Sequence, residues 1–327
     1  MASTSDKPRV PRQSYFVRNP SPAAFRITNR DGDILAALAR FRFLYTDQIV
    51  RLVGGSEQQI NRRLRGLFDH GFTTHPERQK LQLAGVHEDG NPPGIHGLAT
   101  AGARVLAARG FPGIDGIDWT TKSERASAEH LLHTVETAET IIAFQQACRA
   151  GGGASKLVDH QALLPYFPEA TRSDDDPLML EAHVRMPSTP EPLRIAVVPD
   201  RVFSLHLDVD ARVNFALEHD RGTMDVNAKK LIGKSSFRRK IVGYWAAWRA
   251  GMHTERWGFK SFRVLTVTTS EARIDTMLKV QRQVVGEHGS NVFAFTTFEL
   301  LKTVGPLEAI WVTGKGDVVR LLEPVTS

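Results

Sequence analysis

Two apolar runs in the second half of the chain meet acidic residues, and they constrain the fold more than any other feature. The run Val197–Phe203 is rich in β-branched residues and contains Asp200, whereas the run that starts at Phe215 alternates as far as Glu218 and Asp220. Such runs predict buried strands, and residues at i and i+2 lie on one face of a strand. We therefore predict a sheet with these three carboxylates at one edge.

Three carboxylates at one sheet edge repel one another unless a positive charge lies among them. Hard divalent cations prefer oxygen ligands, and a metal bound there activates water and stabilises the charge that develops on a phosphate. Asp200, Glu218 and Asp220 are therefore predicted as ligands of Mg²⁺ or Mn²⁺ and as catalytic residues. The alternative is that Asp200 lies in a turn and that Glu218 and Asp220 pair with nearby arginines.

The composition is that of a soluble protein with enough residues for two cores. A single cysteine, Cys148, excludes an internal disulfide and is typical of a reducing compartment. No apolar run reaches the ~20 residues of a membrane helix, and no apolar segment of an export signal begins the chain. We expect a cytoplasmic protein with no membrane association, whose formal net charge of +6 favours a polyanionic partner.

Local patterns divide the chain into four parts. Residues 1–25 combine prolines with Ser, Lys and Arg, which predicts a flexible basic tail. Three helical patterns, a capping pair that starts at Ser56, and a hairpin pattern predict a winged helix-turn-helix domain over residues 26–110. The Gly-containing stretch 111–127 predicts a linker, so that residues 128–327 form a second domain.

The third helical pattern of the first domain presents a polar face suited to DNA. An apolar stripe through Ile60, Leu64 and Leu67 leaves amide and guanidinium side chains on the opposite face. Such side chains read base edges in the major groove. We therefore predict that double-stranded DNA is bound by Gln58, Asn61, Arg62 and Arg65. The alternative is that the winged helix serves dimerisation.

The second domain alternates helical and strand patterns, which predicts an α/β fold (α+β overall) with the order αβββαβ. Its elements are a long helix at 128–150, strands around Ile195 and Phe215, a helix at 229–249, a strand at 262–267, a helix at 270–285 and a strand at 292–295. Between 229 and 263 the only acid is Glu255 among many basic residues. This stretch predicts a phosphate-facing surface, which includes Arg238, Arg239 and Tyr244.

Several motifs resemble those of the replication-relaxation proteins, which are associated with plasmid replication and DNA relaxation. The motifs are Asp31–Leu35, Arg42–Leu44, Arg62–Leu67, Leu98–Gly102, Phe215–Thr223, Lys240–Tyr244 and Leu265–Thr269. The resemblance covers most of the chain, and Glu218–Thr223 is its most specific part. It implies an N-terminal winged helix joined to a core similar to the PD-(D/E)XK restriction-endonuclease fold.

One departure from that nuclease pattern concerns the catalytic lysine. Where the superfamily has Glu-x-Lys, this chain has Glu218-His219-Asp220. Lys240 and Tyr244 resemble the family's helical pair, and their i, i+4 spacing lets both point back at the sheet edge. We therefore predict Lys240 as the catalytic lysine. The other candidates are Lys229, Lys230 and Lys234, and a solvated or phosphate-contacting face is the alternative for them all.

Two functions follow from these predictions. In the first, the winged helix docks on DNA and the second domain makes a metal-dependent nick. In the second, the nuclease-like domain has no chemistry and holds DNA in replication initiation or transcriptional control. Beyond double-stranded DNA, the candidate partners are a second copy of the chain, in a homodimer, and other replication or mobilisation proteins.

Overall fold

The chain separates into two compact units, Met1–Ala138 and Glu139–Ser327. The computed structural model describes residues 15–77, 94–185, 191–207, 211–226 and 236–322. The division between the units falls inside one continuous helix, Ala128–Ala150, as the helical pattern predicted for that segment.

The first unit consists of short helices and a small antiparallel sheet. Its elements are α1 (Asn29–Phe41), β1 (Phe43–Tyr45), α2 (Thr46–Val53), α3 (Glu57–Asp69), β2 (Thr73–Thr74), β3 (Ile95–Leu98), α4 (Thr100–Ala107), α5 (Trp119–Glu124) and the start of α6 (Ala128–Ala150). The strand order in the sheet is β1-β3-β2. Ser56 caps α3 by accepting from the Gln59 backbone N–H, and the predicted apolar stripe of α3 is buried.

Two segments predicted to lie outside the folded domains belong to the first unit. Tyr15 stacks on His75 with ring centroids 3.9 Å apart, so residues from Tyr15 onward in the predicted tail are packed. Residues 1–14 lie outside the described residues. Within the predicted linker, Trp119–Glu124 is a helix whose Ser123 hydroxyl donates to the Leu98 carbonyl. A buried tryptophan and this hydrogen bond hold the segment on the first unit.

The second unit is built on a seven-stranded mixed sheet with the strand order β12-β11-β10-β9-β8-β7-β4. In chain order its elements after α6 are β4 (Lys156–Asp159), α7 (His160–Leu163), a 3₁₀ turn (Leu164–Tyr166), α8 (Glu169–Arg172), β5 (Leu180–Val184), β6 (Leu193–Val197), β7 (Arg201–His206), β8 (Arg212–His219), α9 (Phe237–Arg249), α10 (Met252–Trp257), β9 (Arg263–Thr268), α11 (Glu271–Val285), β10 (Phe293–Thr297), α12 (Phe298–Val304), β11 (Trp311–Thr313) and β12 (Val318–Val319). Strands β8, β9 and β10 are parallel, and the outer pairs are antiparallel.

The mixed α/β class agrees with the prediction, but the second unit contains more strands than the predicted element order αβββαβ. Strands β4 and β5 had no predicted counterpart. The run Val197–Phe203 is also not one strand, because β6 pairs with β5 in a separate two-stranded sheet while β7 belongs to the large sheet. The change of sheet occurs at Pro199, which has no N–H to continue a ladder. This bend leaves Asp200 immediately before β7.

Helix α9 packs closely against the small β5-β6 sheet. A Cβ atom at Gly243 would lie 2.4 Å from Cγ1 of Val197, so only glycine permits this approach. Ile241, Tyr244 and Trp257 are buried in the same core cluster. The packing fixes the face of α9 that looks toward the large sheet. Among the described residues, no helix combines the length and apolarity needed to cross a bilayer.

Candidate active site

Asp200 and Glu218 lie side by side at the end of two neighbouring strands. The β7-β8 register pairs Arg201 with Leu217, so the next residues across the two strands are Asp200 and Glu218. The Asp200 N–H donates to the Leu217 carbonyl at 3.0 Å, and Asp200 Oδ2 accepts from the His219 N–H at 2.7 Å. The bend at Pro199 and these two bonds therefore fix the Asp200 carboxylate beside β8.

The carboxylate of Glu218 is buried and bound by two side chains from α9. Its residue is 5% exposed. Lys240 Nζ donates to Oε2, and the Tyr244 hydroxyl donates to Oε1. Because residues at i and i+4 lie on one helix face, a single turn of α9 supplies both donors. The structure thus brings Lys240 and Tyr244 to the sheet edge, as their spacing in the sequence predicted, and both contact Glu218 there.

The charges in this cluster depend on one another. Burial raises the pKa of Glu218 and the charge on Asp200 adds to the rise, while Lys240 and Tyr244 oppose it. Burial alone lowers the pKa of Lys240, but the charges of Glu218 and Asp200 outweigh burial and raise the pKa above its usual value. The Lys240 ammonium is therefore a cation that offsets the charges of these two carboxylates.

Asp220 belongs to a different set of contacts. Its Oδ1 accepts from an Arg273 NH2 group at 2.9 Å, and its Oδ2 accepts from the Thr268 hydroxyl at 2.6 Å. Burial raises the pKa of Asp220, but the hydrogen bonds from Arg273 and Thr268 outweigh burial, so its pKa is lowered. Asp220 is thus paired with an arginine, which was the alternative interpretation of this residue.

The three predicted metal ligands therefore do not gather as one set. Within the described residues, no group of three or more His, Cys, Asp or Glu side chains is placed to hold a metal ion. Asp200 and Glu218 are adjacent, whereas Arg273 and Thr268 hold Asp220. A cavity of about 10 Å³, roughly the room that one water molecule takes up, is lined by Glu218, Asp220, Lys240 and Tyr244 together with neighbouring residues of the sheet and of α9. The cluster is closely packed.

The residues predicted to read DNA on α3 are only partly accessible. Gln58, Asn61 and Arg62 are exposed. Arg65 donates through Nε to Asp69 Oδ2 at 2.9 Å and through NH2 to the Val17 carbonyl at 2.9 Å. These bonds tie the N-terminal segment to α3, so the Arg65 guanidinium is engaged within the first unit.

The basic stretch 229–263 is not one open surface in the part of it that the structure describes. Arg238 donates to Gln283, and Arg256 pairs with Asp174 at 2.9 Å. Tyr244, predicted to contact DNA, is fully buried, and Arg239 is half-buried. Lys229, Lys230 and Lys234 lie outside the described residues.

Sequence reasoning missed Arg273 as a site residue. It lies in α11, which the helical pattern predicted, and its guanidinium holds both Asp220 and the Met224 carbonyl, the latter at 2.7 Å. Nothing local in the sequence links it to Asp220, because the two residues are 53 positions apart. The general expectation that a buried carboxylate needs a cation was the only available signal.

Comparison with known proteins identifies the family. No curated protein and no solved structure gives a significant match to the chain. The family model described as replication-relaxation matches residues 35–261 of the 327. The matched region includes α3, Asp200, Glu218 and Lys240. The chain therefore belongs to the replication-relaxation family.

Proposed function

We propose that this protein binds double-stranded DNA in plasmid replication and relaxation, and that its second unit nicks one strand with Mg²⁺ or Mn²⁺. The observation that carries the proposal is the set of contacts at one strand end. Asp200 is fixed beside Glu218, and Lys240 reaches Glu218 from α9. Two adjacent carboxylates and a lysine are the residue types that metal-dependent phosphodiester cleavage uses.

The residues present fit a divalent ion in part. Asp200 and Glu218 offer the oxygen donors that Mg²⁺ and Mn²⁺ prefer. Both oxygens of Glu218 already accept one hydrogen bond each, and the second lone pair of each oxygen would be available to an ion. The bound ion would supply Lewis acidity and lower the pKa of a water molecule. Asp220, held by Arg273, would keep the strand end in place and bind no ion.

The proposed cleavage depends on Lys240. Its raised pKa keeps it cationic at neutral pH. Once released from Glu218, its ammonium would stand beside a phosphate and offset the negative charge that develops during cleavage. A methionine of similar length at this position would lack that charge. The position of Lys240 on α9 replaces the lysine that the nuclease pattern places two residues after the glutamate.

DNA binding is proposed for the first unit from its element order and its exposed polar residues. The order α1-β1-α2-α3-β2-β3 supports the proposal of a winged helix, in which the third helix would enter the major groove. Gln58, Asn61 and Arg62 stand on the exposed side of α3. This part of the proposal rests on likeness of fold together with the chemistry of three side chains.

A second candidate function is a DNA-holding platform without chemistry. The observation in its favour is that Lys240 already neutralises the buried carboxylate, as a structural ion pair would. On this alternative, the protein acts in replication initiation or transcriptional regulation through DNA binding alone.

Incubation of the full chain with supercoiled plasmid and Mg²⁺, Mn²⁺ or EDTA tests the two functions. We expect relaxed circles with either metal and none with EDTA. Asp200→Asn should abolish relaxation, whereas Asp275→Asn, which changes an exposed carboxylate on α11, should leave it intact. If the wild type binds duplex DNA in a salt-dependent manner but never relaxes the plasmid, the platform replaces the nickase.

A further inference from the structure

The first unit carries a concave basic surface that the proposed function does not use. A cavity of about 490 Å³ is lined by three cations, Arg42, Lys122 and Arg125, and by the single acid Asp118. The Asp118 carboxylate is already occupied as the cap of α5, because it accepts from the Thr121 N–H at 3.2 Å and from a threonine hydroxyl. The cavity therefore has an excess of positive charge.

The backbone of Arg42 is strained. Its φ of 70° and ψ of −50° make it the one non-glycine residue with positive φ among the described residues. This region lies outside the left-handed helical well and is close to the strained γ-turn. Glycine would adopt it without a Cβ clash. Strained backbone at non-glycine residues clusters at functional sites, so this conformation directs attention to the function of the Arg42 side chain.

The polar atoms of Arg42 are only partly satisfied. Its NH2 group donates to the Lys122 carbonyl at 3.2 Å, and its Cζ lies 5.3 Å from the Phe43 ring centroid. Its Nε is buried and has no hydrogen-bond partner in the described part of the chain. This N–H is inaccessible to a ligand in the cavity, so an oxyanion there would be bound through the terminal nitrogens of the Arg42 guanidinium.

The neighbouring cations increase the need for an anion. Burial lowers the pKa of Lys122, and the charge of Arg42 lowers it further. The two like charges thus lie within electrostatic reach of each other. In the described chain, no carboxylate pairs with either of them or with Arg125. Guanidinium groups bind phosphate oxygens through paired N–H donors, and an ammonium adds a point charge.

We propose that Arg42, Lys122 and Arg125 form a phosphate-binding site on the first unit, and that its ligand is the phosphodiester backbone of double-stranded DNA. The choice of DNA over a free phosphate compound rests on the proposed function. The site positions the duplex without reading its sequence, since phosphate contacts carry no base information. It adds a second DNA contact to the exposed face of α3.

Fluorescence anisotropy of the full chain with a labelled duplex at several salt concentrations tests the site. We expect the triple variant Arg42→Gln/Lys122→Gln/Arg125→Gln to bind about tenfold more weakly, and its plot of log K against log salt to be shallower by about one unit or more. Arg125→Gln alone should act in the same direction, and because Arg125 is exposed its loss leaves the fold intact. Arg104→Gln, an equal charge change at an exposed residue of α4, should change neither quantity.

A thermal-shift experiment with inorganic pyrophosphate separates the two sources of phosphate. Stabilisation of the wild type that is lost in the triple variant, together with unchanged DNA binding, would keep a phosphate site but remove DNA as its ligand. If the wild type fails to bind duplex DNA, the proposed function fails, and the pyrophosphate shift alone then decides whether the site exists. Equal DNA affinity, equal salt slope and equal pyrophosphate shift in wild type and variants would overturn the site altogether.

Discussion

Replacing Lys240 with methionine tests how far the acidic strand end depends on one cation. Methionine keeps most of the side-chain length and removes the ammonium that binds Glu218. The Glu218 side chain is 6% exposed and that of Lys240 is 22% exposed. Among the described residues, the variant therefore leaves Tyr244 as the one side-chain donor to a buried carboxylate next to Asp200. Removing one partner of a buried ion pair costs about 3–5 kcal/mol.

The expected loss lies near the lower end of that range, because Lys240 is partly exposed. A loss of about 3 kcal/mol corresponds to a fall of roughly 6–12 °C in the Tm of a unit of this size. The loss should shrink on acidification. The pKa of Glu218 is already raised, so its neutral form is favoured in the folded state, and protonation relieves the unpaired charge as the pH falls.

Urea unfolding followed by tryptophan fluorescence measures this loss. Most of the tryptophans report on the second unit, namely Trp245, Trp248, Trp257 and Trp311. The control Lys279→Met removes an exposed lysine from α11 and should change stability by less than about 0.5 kcal/mol. In Glu218→Gln/Lys240→Met no buried charge remains unpaired, so the double variant should be more stable than Lys240→Met. Equal urea midpoints for Lys240→Met and Lys279→Met would refute the reasoning.

Three further results are expected. Burial lowers the pKa of His75 to about 4. The contribution of this histidine to the stability of the fold is therefore complete above its usual pKa of 6.5 and is lost as the pH falls toward 4. His75 should account for a loss of about 3 kcal/mol in the stability of the first unit over that range, and calorimetry should find the total loss reduced by about this amount in His75→Gln. Arg62→Gln should weaken duplex binding at unchanged Tm, whereas Arg65→Gln should lower the Tm by breaking its pair with Asp69; the reverse pattern would move the DNA contact to Arg65. Gly102→Ala should cost at least ~1 kcal/mol, because the added Cβ would lie 2.2 Å from the Phe72 carbonyl oxygen, and an unchanged Tm would contradict that close approach.

Local patterns were enough to predict several parts of the structure. Helix α3 begins after its Ser56 cap and buries the stripe that contains Ile60, because cap and stripe are both encoded within a few residues. Lys240 and Tyr244 reach the same carboxylate, since their i, i+4 spacing determines that they share a helix face.

Contacts between distant residues could not be predicted in the same way. The pairing of Asp220 with Arg273 depends on where α11 packs, which no short pattern encodes. The apolar run from Val197 to Phe203 resembles one strand, because a proline is also compatible with the first residue of a strand or with an edge strand. Strand β4 was missed because it is only four residues long and its two apolar residues are only partly buried, so it lacks a buried apolar run.

The parallel pairing of the central strands has a consequence for how the second unit assembles during synthesis. Phe215 of β8 pairs with Arg263 of β9, and Val264 pairs with Phe293 of β10, so each pairing waits for a later helix and strand. At the ~5–20 residues per second of protein synthesis, the interval from the end of β8 to the end of β9 lasts roughly 2–10 s. During that interval β8 lacks its neighbouring strand on one side. Lower temperature during expression should therefore increase the yield of folded protein, because cooling weakens the hydrophobic association of chains in which β8 is still unpaired on that side.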